Sequence, residues 1–416
     1  MTPSKTIAPL GFRPPRSVVD GAWLTDELAA SRAGEVACAE RTLFDELAGG
    51  KKAQDRLVLF GAGNLGRRTL AGLRTEGVEP LAFADNSPAL AGRHVDGLEV
   101  LTPDEAVHRR ADATFVVTIW TPLARPAHPD AVAQLSRLGG RAPLAFVPLY
   151  WKYPERFLPY YCLALPHRLF EAADEVKQAY TCLDDEPSRH EFLVQLSCLL
   201  SDMTTLEIPR SRDVDWYFPR DLVRLGQDEV FVDCGAYDGD SLLHFVAVTE
   251  GQFCGAWAFE PDPVASARLA ATVATLPSDV RARVVVQPKA AAATNGILGF
   301  SGGATPESRL AADGELGVEA VRLDDALQGV TPTFIKMDIE GAEFDALAGA
   351  REVIARARPV LAICVYHLQE DIHRIPNRLA TMCPRYRFYL RRLEGDLVCF
   401  AVPEERSIGR GRSRAT

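Results

Sequence analysis

The sequence predicts an α/β protein with two parallel sheets that are joined by a helical connector. Short apolar runs of strand length alternate with helical stretches over residues 56–148 and again over residues 226–402, as is typical of parallel sheets. In each stretch a glycine-rich turn follows the first strand, at residues 61–66 and 235–239. Between the two stretches, residues 150–225 are rich in aromatics and prolines and show no such alternation.

The first α/β stretch carries a dinucleotide-type fingerprint. Gly61, Gly63 and Gly66 form Gly-x-Gly-x-x-Gly between a predicted strand and a predicted helix, and Asp85 follows 19 residues after Gly66. In dinucleotide-binding folds such glycines admit a pyrophosphate and the acidic residue binds a ribose. Two interpretations stay open, a bound nucleotide and a scaffold without a ligand, because no other catalytic part of a dehydrogenase is recognisable.

The second α/β stretch predicts seven strands, of which the last two form a hairpin. Their predicted bounds are 230–234, 256–260, 283–287, 334–338, 360–365, 387–390 and 397–401. The hairpin indicates a sheet that is closed by an antiparallel strand. A glycine-rich excursion over residues 295–317 is expected to be a surface loop, in which Ser308 and Arg309 are weak candidates for ligand contacts.

The turn after the first strand of this stretch is the strongest candidate for a ligand site. Ligands of open α/β sheets bind at the carboxyl ends of the strands. Gly235 and Gly239 permit tight turns and a close approach of the backbone to a ligand. The side chains beside them are Asp233, Tyr237 and Asp238, and Asp233 is placed to orient the loop or the ligand. The alternative is that the Asp-Gly pair only makes a turn.

Two further residues extend this candidate site. Glu260 ends the second strand, 25 positions after Gly235, where a carboxylate can accept hydrogen bonds from both ribose hydroxyls. Lys289 follows the third strand and is a candidate for the border of an adenine pocket. The alternatives are a solvated acidic residue before a proline turn and an ordinary surface lysine.

Acidic residues and a histidine follow the fourth and fifth strands, beside the expected switch point of the sheet. Asp338 and Glu340 end the fourth strand and are candidates for stabilising positive charge or accepting a proton. His367 follows the fifth strand and is the candidate general base, because histidine titrates near neutral pH. Glu343 is expected to complement a helix N-terminus. A metal site at Asp338, Glu340 and His367 is conceivable, but the spacing does not demand one and none is expected.

Five motifs of this part of the chain occur together and in order. They are Tyr217-Phe218-Pro219, the loop 233–240, Phe259-Glu260-Pro261, the run 336–343, and Val365-Tyr366-His367 with Glu370-Asp371. With these motifs the chain resembles the FkbM family of S-adenosylmethionine-dependent methyltransferases, over roughly residues 215–402. The resemblance implies a class I methyltransferase-type seven-stranded sheet and S-adenosylmethionine as cofactor. It also implies O-methylation of a hydroxyl on a sugar, a polysaccharide or another natural product.

The resulting organisation has five segments. They are a helical lead (1–50), a Rossmann-like nucleotide-binding-type domain (51–149), a helical connector or lid (150–225), the methyltransferase domain (226–403) and a disordered basic tail (404–416). The connector is expected to form helices over residues 167–183 and 188–202 and to cover the ligand edge of the second sheet. A single helix is expected over residues 341–357.

Composition and charge narrow the expected partners. A net charge of −10 argues against a general nucleic-acid binder, which needs a basic excess. Nine cysteines without a C-x-x-C pair fit a reducing compartment better than a disulfide framework. No apolar stretch has the length of a membrane span. We therefore expect a cytoplasmic protein with a small-molecule or glycan acceptor, and leave homo-oligomerisation open. The alternatives are an NAD(P)-dependent oxidoreductase and a non-catalytic nucleotide- or sugar-nucleotide-binding module.

Overall fold

The chain divides into two compact units, each of which is described by itself. The computed structural model describes residues 24, 28–119, 127–200, 216–302, 309–310, 314, 316–393 and 396–408. The first unit comprises Met1–Asp174 and Leu193–Arg210, and the second comprises Glu175–Phe192 and Ser211–Thr416. Over the described ranges, no helix combines the length and the apolar character that crossing a membrane requires.

The N-terminal unit is built on a mainly parallel sheet. Its strands are β1 (Leu57–Phe60), β2 (Ala82–Ala84), β3 (His94–Val95), β4 (Leu98–Leu101), β5 (Thr114–Val117) and β6 (Leu144–Ala145). The order is β3-β4-β2-β1-β5-β6, and each adjacent pair is parallel except β3 with β4. The helices are Ala33–Ala48, Asn64–Thr75, Pro103–Arg109, Ala127–Arg137, Val147–Lys152, Pro154–Phe157 and His167–Glu171, with 3-10 turns at Ala30–Arg32 and Lys51–Arg56. The predicted parallel sheet is confirmed.

Apolar side chains explain how this unit packs. Every residue of β1 is buried, as expected for a strand of a parallel sheet that is covered on both faces. The helix Asn64–Thr75 buries Leu65, Leu70 and Leu73, which repeat at helical spacing on one face. The sequence therefore predicted both the strand and the inward face of the helix that follows it.

The described part of the C-terminal unit contains strands of two sheets. They are β7 (Val230–Cys234), β8 (Gly255–Phe259), β9 (Val284–Gln287), β10 (Ala290–Ala291), β11 (Gly296–Ser301), β12 (Arg309–Leu310), β13 (Leu316–Val321), β14 (Phe334–Met337), β15 (Val360–Cys364), β16 (Tyr386–Leu393) and β17 (Asp396–Pro403). The helices of this unit downstream of β7 are Asp240–Val248, Pro263–Ala274, Ser278–Arg281, Leu323–Ala326, Glu343–Ala348, Arg351–Ala357 and Asp371–Met382.

The larger sheet has seven strands in the order β16-β17-β15-β14-β7-β8-β9. β17 runs antiparallel to both of its neighbours, and the other pairs are parallel. The predicted seven strands and the antiparallel closing strand are thus confirmed, although Gly395 of the predicted hairpin turn lies outside the described residues. Strand order reverses between β7 and β14, so their carboxyl ends flank the switch point at which open α/β sheets bind ligands.

The excursion over residues 295–317 is not only a surface loop. It contributes β11, β12 and the start of β13 to a four-stranded sheet in the order β10-β13-β11-β12. Phe300, Val318 and Ala320 form its buried side, whereas Ile297 is 72% exposed. Glycines interrupt the alternating pattern of β11 and β13, and β10 and β12 have only two residues each, which is why the sequence did not predict this sheet. Ser308 and the side chain of Arg309 lie outside the described part of the chain.

Two predicted single helices are each divided in the structure. The predicted helix 341–357 consists of Glu343–Ala348 and Arg351–Ala357. Gly349 lies between them, and a Cβ there would overlap the carbonyl oxygen of Ala292. The predicted helix 167–183 is likewise divided, into His167–Glu171 and Ala173–Cys182.

Part of the connector covers one edge of the larger sheet. Its last described helix is Glu186–Leu199. Asp184 donates its backbone N–H to Phe388 of β16, 2.9 Å away, and the Ser188 hydroxyl accepts the backbone N–H of Leu390 at 2.9 Å. These contacts cover the outer edge of β16, which would otherwise present unpaired backbone groups. Within the C-terminal unit, residues 184–188 therefore lie along an edge strand, whereas Tyr217 near the end of the connector lies at the strand ends that we expected the connector to cover. Residues 201–215 of the connector lie outside the described residues.

An aromatic core anchors the segment before β7. Phe218 is 1% exposed, and its ring centroid lies 5.4 Å from that of Phe231 and 5.1 Å from that of Phe334. Phe231 in turn stacks on Phe245 at 4.7 Å. Such pairs add to the free energy gained by burying the rings. The anchor fixes Tyr217, the neighbour of Phe218, at the carboxyl ends of the strands.

A buried ion pair joins β7 to β14. Lys336 lies opposite Asp233 in the parallel register, and the Lys336 ammonium is 3.0 Å from the Asp233 carboxylate. The two residues are 2% and 0% exposed. Lys336 also donates to the carbonyl oxygen of Gly235 at 2.7 Å, and Ser241 donates to Asp233 at 2.5 Å. These hydrogen bonds compensate two charges that burial would otherwise make costly.

Removing the cation of this pair should destabilise the fold strongly. Lys336→Met leaves the Asp233 carboxylate buried without its partner, and we expect a loss of roughly 3–5 kcal/mol in the free energy of unfolding. Urea denaturation followed by circular dichroism measures it. Lys289→Met removes a lysine whose partner Glu319 is 55% exposed, and it should cost at most about 1 kcal/mol. Equal losses in the two variants would contradict the assigned role of the buried pair.

Two helical glycines should respond in opposite directions to the same substitution. A Cβ at Gly72 would overlap the ring of Phe157, so Gly72→Ala should destabilise the protein by about 1–3 kcal/mol. A Cβ at Gly34 would meet nothing within 4 Å, so Gly34→Ala should stabilise it by up to roughly 1 kcal/mol. Thermal melting of the two variants tests the prediction, and a stabilised Gly72→Ala variant would overturn it.

Candidate active site

A cavity of about 410 Å³ opens at the carboxyl ends of β7, β8 and β14 in the C-terminal unit. The predicted site residues on its wall are Gly235, Tyr237, Glu260, Lys289, Asp338 and Glu340. Wall residues to which the sequence assigned no role are Trp216, Tyr217, Asp240, Lys336, Tyr366 and Asp396. The predicted residues Asp233, Asp238, Gly239 and His367 are not among the residues that line the cavity. The structure therefore brings most of the predicted side chains together at the switch point.

The glycine turn forms the floor of the cavity. Gly235 has φ +80°, and a Cβ there would overlap the carbonyl oxygen of Asp338. The backbone N–H groups of Gly235 and Ala236 both donate to the carbonyl oxygen of Phe259, at 3.0 and 3.1 Å. Gly239 has φ +94° and precedes the helix Asp240–Val248. A side chain at position 235 would therefore displace β14 from β7 or fill the floor.

Glu260 holds this turn with both of its carboxylate oxygens. Oε2 accepts the backbone N–H of Tyr237 and Oε1 that of Asp262, each at 2.9 Å. Glu260 is 6% exposed, and burial raises the pKa of its carboxyl group despite these two donors. Each oxygen retains a second lone pair, to which a ligand hydroxyl in the cavity could donate a hydrogen bond.

Asp233, Asp238 and Gly239 support the turn from behind. Asp233 is committed to Lys336 and Ser241, and the carbonyl oxygen of Asp238 accepts a hydrogen bond from the hydroxyl of Thr272 at 2.7 Å. The structure thus favours the loop-orienting role that the sequence allowed for Asp233.

Asp338 is fixed at the centre of the cavity wall by two tyrosines. Tyr217 donates its hydroxyl to Oδ2 at 2.8 Å, and Tyr366 donates to Oδ1 at 3.2 Å. Burial would raise the pKa of this carboxyl group, but His367 and the Lys336 ammonium outweigh burial and hold the pKa well below its usual range. Asp338 therefore stays ionised at neutral pH and presents a fixed negative charge to the cavity.

His367 lies behind this carboxylate and is 4% exposed. Its Nε2 is 3.3 Å from Asp338 and 3.5 Å from Glu340, and its Nδ1 is 2.9 Å from Glu343. Burial alone would lower the pKa of His367, but the three carboxylates, Glu343 foremost, raise it well above its ordinary value. This arrangement does not favour the general-base role that the sequence suggested, because a histidine of high pKa has no free acceptor nitrogen at neutral pH.

Glu343 does more than complement a helix N-terminus. It is fully buried, and it accepts the backbone N–H groups of Ile339 and Gly341 at 2.7 and 3.0 Å. The same carboxylate faces the His367 ring. Glu343 therefore fixes both the loop that carries Glu340 and the orientation of the imidazole.

Asp396 is a cavity carboxylate that the sequence did not indicate. It begins β17, which separates it in sequence from the motif residues. Burial, followed by the charge of Asp338, raises the pKa of Asp396 to about 7. Its position at the start of a closing strand was a weak signal, because a Gly-Asp step at a hairpin usually indicates only a turn.

The glycine turn of the N-terminal unit has a well-defined hydrogen-bond pattern. Asp85 accepts the backbone N–H of Ala62 with one oxygen and that of Ser87 with the other, both at 2.8 Å. A Cβ at Gly66 would overlap the carbonyl oxygen of Gly61. Gly61, Gly66 and Asp85 thus have a structural role in closing the turn. The pattern leaves both interpretations of this unit open, and Gly63 stays a predicted site residue.

Comparison with known proteins finds a matching family model and a solved structure with a similar fold. The family model described as the methyltransferase FkbM domain matches residues 233–393. The crystal structure of a methyltransferase FkbM from Methylobacillus flagellatus KT matches with a TM-score of 0.68 and 22% identity, over 89% of this chain and 100% of that chain. This structural likeness shows a shared fold across both units. Comparison with curated proteins finds no match.

Two further solved structures match the chain over a smaller part. A precorrin-6y C5,15-methyltransferase from Geobacter metallireducens GS-15 has a TM-score of 0.30 and 10% identity, over 44% of this chain and 82% of that one. A putative methyltransferase from Streptococcus mutans, solved in complex with SAH, has a TM-score of 0.27 and 13% identity, over 42% and 89%. The match of residues 233–393 to the methyltransferase FkbM domain agrees with the resemblance that the sequence motifs carry.

Proposed function

We propose that the protein is an S-adenosylmethionine-dependent O-methyltransferase that acts on a hydroxyl of a sugar, a polysaccharide or another natural product. The observation that carries the proposal is the cavity at the switch point between β7 and β14. Its floor is the Gly235 turn, where a side chain has no room, and its wall carries Glu260 and Asp338. A methyl donor that contains adenosine needs such a floor and such carboxylates.

The wall residues fit the parts of S-adenosylmethionine. The backbone of the 235–239 turn can approach the methionine part closely, and Glu260 offers its free lone pairs to the ribose hydroxyls. Lys289 and Ala290 border the far side of the cavity, where the adenine would lie. Bound there, S-adenosylmethionine supplies an electrophilic methyl group on a positively charged sulfur.

The protein's own contribution is positioning and electrostatics. Asp338 is ionised and held by two tyrosine hydroxyls before any ligand arrives. A fixed charge that needs no reorganisation during reaction is an effective way to stabilise a charged reacting group. Holding donor and acceptor together in a confined cavity adds the advantage of orientation. The hydroxyl proton would pass to a carboxylate of the wall, for which Glu340 and Asp396 are placed.

The charge of the cavity indicates what kind of acceptor it takes. Carboxylates dominate its wall, at Asp240, Glu260, Asp262, Asp338, Glu340 and Asp396. The two lysines of the wall are already paired, Lys289 with Glu319 and Lys336 with Asp233. An acceptor with a phosphate or carboxylate group would meet repulsion here. A neutral acceptor rich in hydroxyl donors, such as a sugar, matches a wall rich in hydrogen-bond acceptors.

Binding of S-adenosylhomocysteine should depend on the Gly235 turn. We expect the purified full-length protein to bind it with micromolar affinity, and Gly235→Val to abolish that binding by filling the floor. Isothermal titration calorimetry measures both. Gly226→Val is the matched control, because a Cβ at Gly226 meets nothing within 4 Å and the residue lies outside the cavity wall.

A folding defect is separated from a binding defect by a second variant. Circular dichroism shows whether Gly235→Val folds, and Glu260→Gln changes one atom of the wall and should weaken binding roughly tenfold. Undiminished binding in both variants would refute the cofactor site. Binding of NAD(H) in place of S-adenosylhomocysteine would favour the oxidoreductase alternative, for which the Gly61–Asp85 region is the candidate site.

The charge of Asp338 should matter more for S-adenosylmethionine than for its product. The methyl donor carries a positive sulfur and S-adenosylhomocysteine does not. We therefore expect Asp338→Asn to lower the affinity for the donor at least roughly tenfold more than the affinity for the product. Calorimetric titration with both compounds tests this, with Glu260→Gln as the control that should weaken both equally. An unchanged ratio in Asp338→Asn would remove Asp338 from its assigned role.

A further inference from the structure

We propose that Asp338, Glu340 and His367 bind a divalent metal ion at the inner wall of the cavity. The proposal departs from the expectation of no metal that the sequence supported. One ligand-type atom from each of the three residues lies within 4.8 Å of the other two. Metal binding at this site does not depend on the proposed methyl transfer. The effect of the metal on the reaction does rest on that proposed function.

The distances suit ligands of one ion. Nε2 of His367 is 3.3 Å from Oδ1 of Asp338 and 3.5 Å from Oε1 of Glu340. Ligand atoms about 2.1 Å from a metal lie roughly 3.0 Å apart at a right angle and roughly 3.4 Å apart at the tetrahedral angle. The two separations from Nε2 lie within a few tenths of an ångström of these values, and the separation of the two carboxylate oxygens is at most 4.8 Å.

The imidazole is oriented as a metal ligand usually is. Metal-binding histidines commonly donate the second ring N–H to a carboxylate, which fixes the ring and makes the other nitrogen the ligand. Here Nδ1 lies 2.9 Å from the Glu343 carboxylate, close enough for this pairing, although the two groups are not aligned for a hydrogen bond. Glu343 is itself held by two backbone N–H groups, from Ile339 and Gly341. This leaves Nε2 directed at the two carboxylates of the cavity wall.

The second indication is that both ring nitrogens of His367, Nε2 among them, are buried without a hydrogen bond among the described residues. Its separations of 3.3 and 3.5 Å from the two carboxylates exceed the 2.7–3.2 Å of a good N–H···O hydrogen bond. His367 is 4% exposed, so bulk solvent offers little compensation. A buried polar atom in this situation calls for an explanation such as a bound ion.

The local charge also favours a cation. Asp338, Glu340 and Glu343 surround one imidazole, while Lys336 is shared with Asp233 on the other side. Buried carboxylates are stable when they are paired or bind a metal. A divalent ion between Asp338 and Glu340 would offset the surplus negative charge directly.

The donor set indicates which ions fit. One imidazole nitrogen and two carboxylate oxygens, with no thiolate, suit first-row divalent ions such as Mn²⁺, Fe²⁺ or Zn²⁺. Asp338 and Glu340 both line the cavity, so open coordination positions would face an acceptor. If the proposed methyl transfer is correct, a hydroxyl bound there would lose its proton more easily.

Metal binding by the full-length protein tests the proposal. After treatment with a chelator and its removal, the protein is titrated with Mn²⁺ alone, and the free-ion signal is followed by electron paramagnetic resonance. We expect one Mn²⁺ per chain. His367→Gln and Glu340→Gln should each weaken binding at least tenfold. Glu343→Gln, which acts through the imidazole, should weaken it roughly 10–100-fold.

Glu370→Gln is the matched control, because Glu370 lies three residues from His367 but its side chain is 40% exposed and faces Arg374. Its Mn²⁺ affinity should stay at the wild-type value. Thermal melting establishes that each variant is folded, and competition by Zn²⁺ for the same site would support the proposal equally. No binding of millimolar Mn²⁺ or Zn²⁺ by the wild type, or full binding by both folded ligand variants, would overturn it.

S-adenosylhomocysteine binding, measured on the same samples, separates the two proposals. Cofactor binding without metal binding would refute the metal site alone. Metal binding without cofactor binding would refute the methyltransferase proposal and leave the metal site standing.

Discussion

The close approach of Gly235 to Asp338 is the constraint on which the site depends. β7 and β14 are neighbours, and a side chain at Gly235 would overlap the carbonyl oxygen of Asp338. Lys336 reaches from β14 to the carbonyl oxygen of Gly235 at 2.7 Å. The turn after β7 is therefore fastened to the end of β14. The floor of the cavity and the carboxylate on its wall are consequently positioned by the same few backbone atoms.

Burial of the charged pair in this arrangement lowers the stability of the fold, and the surrounding core compensates for the loss. Asp233 and Lys336 are charged and almost fully buried, which is unfavourable unless their hydrogen bonds are complete. The aromatic core around Phe218 lies beneath them and holds Tyr217 in reach of Asp338. The stability of the core and the geometry of the site are thus coupled, and substitutions in either should affect both.

The strands and the glycine turn after β7 could be predicted because their signals are local. Each strand of the larger sheet is an apolar run, and Gly235 and Glu260 stand where strand ends place them. The small sheet was missed because glycines interrupt β11 and β13, β10 and β12 have only two residues each, and Ile297 faces outward. The role of His367 could not be predicted, because it depends on three carboxylates that only the tertiary structure brings to the ring.

The two glycine turns of the chain use their acidic residues in the same way. Asp85 accepts the N–H of Ala62 in its turn and that of Ser87 two positions on. Glu260 accepts the N–H of Tyr237 in its turn and that of Asp262 two positions on. A carboxylate at the end of the second strand therefore closes the turn before any ligand is considered. The proposed ribose contact would use the lone pairs that remain, and Glu260 lies on a cavity wall. The spacing of the glycines and the acidic residue therefore indicates a turn that is closed by a carboxylate. A binding function is supported by the cavity beside the turn.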